Sequence, residues 1–441
     1  MLTNISTIAA AAVMASMLLF WKRFAASPTW LATVTPLSSI MGSGFLVCAP
    51  LLAQTVGIWA APAMAGLLLL AYAIGSVTRF NIRFAEPLMA RPVDEPENSA
   101  GPRRDHSRFY GHSARARLSK RATHTGAIRR LETASHVILV GAYLISVTYY
   151  LKLLAEFVLR GLHGTEPSST ESATLSTAVI VVIAAVGALW GLGMLERVER
   201  FAVGINLSII VALLVGLALY NVDAWIAGTW VVPSLSPSTR PLQAGRILLG
   251  LLIVVQGFET SLFLGNEHSA EQRIRTMRWA QGISSVVYIV FLSLCTILFD
   301  HVRGDDSGVT TVVALSGYAA TALPVMLVVS AAGSQFSAAV ADDAGCGGLL
   351  SQLLGEHVSV RIAYVGIGIS AIGLTWCTNV IEIISIASRA FAVFYAAQCG
   401  VAVLVALRAP EVSYKRARIV FYAALLCLCT VVAIFGVSAD G

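Results

Sequence analysis

Charge is scarce in this chain. Asp, Glu, Lys and Arg make up 12% of its 441 residues, where soluble domains carry roughly a quarter. Hydrophobic residues make up 57% and the mean hydropathy is +0.77. A soluble core cannot absorb that much apolar surface, so lipid must serve as the solvent. The sequence also lacks a CxxC pair, a CxxCH motif and an even extracellular cysteine framework. Its seven cysteines, Cys48, Cys295, Cys346, Cys377, Cys399, Cys427 and Cys429, mostly sit inside apolar runs and read as small buried hydrophobes. No HExxH, GxSxG or GxGxxG occurs in a supporting context, and only His136 lies clearly within an apolar span. These absences exclude a disulfide scaffold, a resident metal and an intramembrane haem pair, and they argue against an enzyme. The net charge of +6 and the pI near 9.0 do not indicate nucleic acid, because the positive residues sit mostly in loops between spans and so report topology.

The apolar runs themselves predict an all-α polytopic membrane protein with about 12 transmembrane helices. They cover Ile5–Trp21, Trp30–Gln54, Ile58–Val77, Leu131–Leu159, Thr174–Met194, Phe201–Tyr220, Ile247–Leu264, Gly282–Phe299, Tyr318–Ala341, Val360–Trp376, Val380–Leu407 and Ile419–Val437. The first run lacks a positive n-region, and Lys22 and Arg23 follow it, so it reads as an extra span and not as a signal peptide. The segment Arg91–Arg130 holds ten Lys/Arg against four Asp/Glu and marks the cytoplasmic face. It reads as a solvated loop. Lys22-Arg23, Arg197, Arg200, Arg273, Arg275, Arg278, Arg361, Arg408, Lys415, Arg416 and Arg418 then all fall inside. The outer loops are poor in Lys and Arg.

The connections reveal a repeat. Setting aside the first and last spans leaves ten, and each connection in the first five lies on the opposite face from its counterpart in the second five. That is the mark of a five-plus-five inverted repeat about an in-plane pseudo-two-fold axis. The expected organisation is an extra N-terminal segment over 1–28, a first repeat over 29–221 with a basic cytoplasmic loop at 81–130, a second repeat over 222–407, and an additional helix over 408–441.

Each repeat opens on a broken helix. The first core helix is interrupted within Pro36–Leu46 by Gly42-Ser43-Gly44. The sixth is interrupted within Leu251–Ser261 by Gln256-Gly257-Phe258-Glu259-Thr260. Unwound backbone at membrane depth survives only where it lines a cavity or meets a ligand. Paired interruptions in two halves are the sequence pointer to a transporter's site. The half-helix after the first break starts with unpaired N–H groups and a positive dipole end, which favour a carboxylate. Carbonyls near the second break would accept from an ammonium. Glu259 is a carboxylate at mid-membrane depth and hence a functional candidate. It could bind a cationic group, take up a coupling proton or pair with a basic residue.

On these motifs the chain resembles the amino acid–polyamine–organocation (APC) transporter superfamily, with the LeuT-like fold. Gly42-Ser43-Gly44 matches the Gly-Ser-Gly of that family's first core helix, and Gln256–Ser261 resembles the element of its sixth. The acidic-then-basic stretch Glu267–Ala280 is also similar. The family's Asn-Pro pair after the sixth core helix is missing, and Arg83-Phe-Ala-Glu-Pro87 replaces a clear Tyr-Ala-Glu-Leu. The chain is thus identified as a divergent member. The resemblance implies discontinuous first and sixth core helices and a secondary active permease for an amino acid or related amine, working by alternating access. The candidate substrate-binding residues are Ser39, Gly42, Ser43, Gly44, Gln256, Gly257, Phe258, Glu259 and Thr260. It further implies a sodium site at Ser334 and Ser337 of the eighth core helix. The fifth core helix has Asn206 but not the lysine common in proton-coupled relatives, which favours sodium or no ion over a proton. The expected partners are a small-molecule substrate and the lipid bilayer, in a bacterial inner membrane, with no cofactor beyond a coupling Na+ or H+. A transporter-like sensor that binds without flux is the alternative, with a membrane-embedded enzyme behind it. Lys152, Glu156 and Glu132 are expected to snorkel from the ends of the third core span, His136 to be a satisfied polar contact, and Glu382 to pair with Arg389.

Overall fold

A computed structural model describes residues 2–20, 27–42, 44–89, 111–190, 193–233, 240–266, 268–302, 310–354, 359–408 and 412–437. Among them there is helix, turn and connector but no strand. The helices are α1 (Leu2–Ala15), α2 (Pro28–Gly42), α3 (Cys48–Val56), α4 (Ala60–Phe84), α5 (Glu86–Met89), α6 (Gly111–His163), α7 (Ser169–Trp190) and α8 (Gly193–Ile226). The second half holds α9 (Pro241–Gly250), α10 (Ala270–Cys295), α11 (Thr311–Ala319), α12 (Leu323–Leu353), α13 (Val360–Cys377), α14 (Val380–Arg408) and α15 (Lys415–Phe435). Two 3₁₀ segments, Leu252–Val255 and Phe258–Asn266, follow α9. Nine described stretches are continuous, long and apolar enough to cross a bilayer, and Thr3–Leu18 is a shorter apolar helix. The remaining two expected spans are the broken ones: α2, which leads across its break into α3 at the head of the Cys48–Phe84 stretch, and α9 with its 3₁₀ segments.

Helix starts follow from local chemistry. Ser168 and Glu171 cap α7 reciprocally, the Ser168 N–H donating to Glu171 Oε2 at 2.9 Å and the Glu171 N–H to Ser168 Oγ at 3.3 Å. Asn379 and Glu382 do the same for α14, at 3.0 and 2.7 Å. Both are capping boxes, which satisfy donors that the first turn leaves orphaned. This corrects the expected Glu382–Arg389 pair. Glu382 is spent on its cap, and the Arg389 guanidinium donates to the Ala433 carbonyl at 2.8 Å, tying α14 to α15.

The longest helix, α6, forms the centre. It packs against α12, α14, α7 and α13, and it buries Tyr143, Tyr149, Tyr150 and Phe157 completely. Residues such as Leu69, Val182, Ile369 and Ile434 point outward, where acyl chains replace water. Two boundaries depart from expectation. The backbone is helical from Gly111, so the second part of the basic segment extends the third core span instead of forming a loop. Beyond a turn at 321–322, α12 runs on to Leu353. Hydropathy ended that span at Ala341, one residue before two acids, yet packing carries the helix through both.

Candidate functional site

Backbone groups freed by a helix break must find partners or be left unsatisfied in a low-dielectric interior. Here the two breaks and three flanking helices supply them. The Tyr288 hydroxyl of α10 lies 3.1 Å from the Ile40 carbonyl and 2.6 Å from the Val254 carbonyl, holding one carbonyl of each broken helix. Ser388 Oγ of α14 accepts the Ile253 N–H at 2.9 Å. Gln335 of α12 donates its amide N–H to the Gly42 carbonyl at 2.8 Å.

The breaks also touch. Gly257 has φ +119°, a conformation that residues with a Cβ rarely adopt. A Cβ placed there would lie 2.5 Å from Ser39 Oγ and 2.7 Å from the Ile40 N. A Cβ on Gly44 would lie 2.9 Å from the Val254 Cα. The glycines thus let one interrupted backbone cross the other at close range. Ser43 lies outside the described residues. Following the turn at 44–47, α3 begins without a side-chain cap.

Glu259 is buried directly after the second break. Its Oε2 accepts the Gly257 N–H at 3.0 Å and the Tyr395 hydroxyl of α14 at 2.8 Å. Its Oε1 is buried without a hydrogen-bond partner. Among the described residues no ion pair reaches Glu259, so the third of its expected roles, pairing with a basic residue, is not what this structure shows. Phe258 stacks on Tyr395, ring centroids 5.4 Å apart and planes at 17°. The Thr260 hydroxyl donates to the Gly257 carbonyl at 2.8 Å, and Gln256 Nε2 donates to the Tyr150 hydroxyl of α6 at 3.1 Å. The structure therefore brings together Ser39, Gly42, Gly44 and Gln256 through Thr260. It adds Tyr150, Tyr288, Gln335 and Tyr395, which in the sequence look like ordinary core or helix residues.

The serines of α12 face the first broken helix. Ser337 and Ser38 hydroxyls lie 3.1 Å apart, while Ser334 Oγ donates back to the Ala331 carbonyl at 3.1 Å, a common habit of serine in membrane helices. Ser330 donates to Asn206 of α8. A hard cation needs converging oxygen acceptors. In this junction the Gly42 carbonyl already accepts from the Gln335 amide, which occupies one of its two lone pairs.

The remaining charged residues hold the frame. Lys152 does not snorkel: it is buried and its ammonium donates to the Thr375 and Thr378 carbonyls at the end of α13. Glu132 is buried as well, accepting from Gln398 Nε2 at 3.1 Å, with His136 at 3.4 Å from its other oxygen. Arg273 of α10 grips Glu86 of α5 in a two-pronged pair at 2.9 and 2.6 Å and also donates to the Ser261 and Leu262 carbonyls. The second broken helix is thereby fastened to the end of α4–α5.

Two apposed broken helices inside a helical membrane bundle are the architecture expected of a carrier. The comparisons then fix the family. A family model described as "APC superfamily transporter" matches residues 22–102 and 110–436, and the chain belongs to that superfamily. An uncharacterized protein of Aquifex aeolicus (strain VF5) is 34% identical over 413 residues, 93% of this chain and 91% of its own. Among solved structures, Mhp1, a nucleobase-cation-symport-1 family transporter with bromovinylhydantoin bound, covers 92% of this chain and 88% of its own at 10% identity and a TM-score of 0.46. A Na+-coupled sialic acid symporter in a substrate-bound outward-open state covers 99% and 98% at 11% identity and a TM-score of 0.45.

Proposed function

We propose that this chain is a secondary active permease of a bacterial inner membrane that moves an amino acid or a related amine by alternating access. The observation that carries the reading is the crossing of the two breaks beside Glu259, whose Oε1 is buried and unpartnered. An ammonium suits that oxygen, since a buried carboxylate gains most from a charged donor. The start of α3, which has no side-chain cap, turns a positive dipole end toward a carboxylate. A zwitterion presents both groups, and a simple amine presents one. Phe258 and Tyr395 supply an apolar wall and a ring face for a cation. Alternating access would expose this crossing to each side in turn.

The test is uptake into proteoliposomes, screened over amino acids and amines with sodium and pH gradients imposed separately. Concentrative uptake of one or more of these compounds, reduced in Glu259→Gln, is the expected result. Binding of an amino acid or amine without flux under either gradient would identify a sensor instead. Neither binding nor flux across the screen would refute the substrate class.

A further inference from the structure

The cytoplasmic end of α4 buries an arginine without an acid. Arg79 is 6% exposed. Its guanidinium donates to the side-chain carbonyl of Gln281 on α10 and, at 3.3 Å, to the Tyr72 carbonyl. It also lies 4.7 Å from the centre of the Tyr72 ring. All of these partners are neutral, and no ion pair among the described residues includes Arg79. The Gln281 amide is itself pinned, donating to the Ala71 carbonyl at 2.9 Å. Arg79 is therefore held in place by groups that leave its charge unanswered. A charge withdrawn from water is costly until an anion meets it, and the planar fork of arginine matches a phosphate.

A second arginine stands beside it. Arg278 precedes Gln281 by three residues, which puts it one turn nearer the cytoplasm on α10. It is exposed, and no ion pair among the described residues includes it either. From Arg278 a groove of about 510 Å³ follows the exposed side of α10, lined further by Trp279, Gly282, Ile283, Val286 and Val287. Nothing lies within 4 Å of where a Cβ on Gly282 would stand, so the glycine leaves a notch between Trp279 and Val286. The groove is apolar except for the arginine at one end. In the orientation set by the basic loops, that end faces the cytoplasm and the groove runs toward the middle of the bilayer. Trp279 is exposed at its mouth, and indole rings favour the level of the headgroups.

We propose that this face of α4 and α10 binds an anionic phospholipid of the inner leaflet, its headgroup phosphate between Arg278 and Arg79 and one acyl chain along the groove. The body of the occupant is hydrocarbon because the groove is apolar and opens to the bilayer. Its head is anionic because two guanidiniums meet there without an acid. A zwitterionic head would bring an ammonium to the same place and lose much of the attraction. Basic pockets between membrane helices on the cytoplasmic side suit such headgroups. The lipid supplies Arg79 with the counter-ion that the chain does not.

Quenching of Trp279 fluorescence by brominated lipid tests the site. The full-length chain is reconstituted in phosphatidylcholine vesicles that carry a small fraction of brominated phosphatidylglycerol or of brominated phosphatidylcholine. The quenching that vanishes in Trp279→Phe belongs to the groove. At equal mole fraction, that part should be stronger with the phosphatidylglycerol. Arg278→Gln changes an exposed position and should cut the preference roughly fivefold. Arg361→Gln, at an exposed position on α13, should leave it unchanged. Gly282→Leu fills the notch and should weaken quenching by both lipids. Gly366→Leu, on α13 with the same open space around its Cβ, should not. Equal quenching by the two lipids in the wild type would overturn the proposal. So would a preference that survives Arg278→Gln or falls as far in Arg361→Gln, and so would quenching unchanged in Gly282→Leu. Inorganic phosphate, compared with chloride at equal ionic strength, should leave the preference intact. Its loss would show that a soluble anion takes the site and would overturn the lipid assignment.

Discussion

Gly257→Ala is the sharpest test of the crossed breaks. The new Cβ would force a φ of +119° on a residue that avoids it, at about 1–3 kcal/mol. It would also meet Ser39 Oγ at 2.5 Å and the Ser39 carbonyl carbon at 2.6 Å, and overpacking of this kind costs about 1–3 kcal/mol more. The backbone of Ser39 cannot yield without moving α2. The sum, roughly 2–6 kcal/mol, is a large share of the 5–15 kcal/mol that typically stabilises a fold. The assay is built into the chain. Cys48, Cys295, Cys346, Cys399 and Cys429 are free and buried, so a fluorogenic maleimide reports their exposure as detergent-solubilised protein is heated. Gly257→Ala should lower the midpoint by on the order of 5 °C or more. Gly245→Ala is the control, since nothing lies within 4 Å of a Cβ there, and it should match or slightly exceed the wild type. Equal midpoints for Gly257→Ala and the wild type would mean that the two backbones do not cross at this distance.

Gln335→Ala should leave the Gly42 carbonyl without its donor and lower the same midpoint by an amount equivalent to about 1–3 kcal/mol. Sodium chloride, compared with choline chloride, should then stabilise the variant more than the wild type; equal stabilisation of both would show that the junction takes a cation with Gln335 in place. Arg273→Gln should cost less than the ~3–5 kcal/mol of a fully buried broken pair, because Glu86 is partly exposed, and Glu86→Gln in the same background should add little, as a double-mutant cycle would show. Cys377 is exposed at the α13–α14 turn, which the basic loops place outside. An impermeant maleimide should label it in intact cells and fail to label Cys377→Ser at that site. Labelling only after permeabilisation would reverse the orientation.

The broken helices were legible in the sequence because glycine and polar residues in an apolar run contradict their surroundings, and such contradictions mark function. Glu259 stood out for the same reason. Tyr150, Tyr288 and Tyr395 did not, because an aromatic residue in a membrane helix reads as core until its hydroxyl is seen to meet a side-chain amide, a freed carbonyl or a carboxylate. Gln335 is overshadowed in the sequence by its serine neighbours, although its longer amide is what reaches the Gly42 carbonyl. Asp342 fell one residue beyond a hydropathy boundary that packing ignores. Lys152 and Glu132 looked like interfacial residues from their position near span ends. Only the neighbouring helix ends, Thr375 and Thr378 in one case and Gln398 in the other, show them to be turned inward.

The contact between Ser39 and Gly257 also constrains how this sequence can drift. A residue larger than glycine at 257 needs a different backbone at 39 and 40, and bulk at 44 needs Val254 to give way. Tyr288 adds a third dependency, since its single hydroxyl serves a carbonyl from each repeat. Substitutions tolerated in either repeat alone are therefore expected to be rare at these six positions. Among relatives, changes there should arrive in matched sets drawn from both halves of the chain.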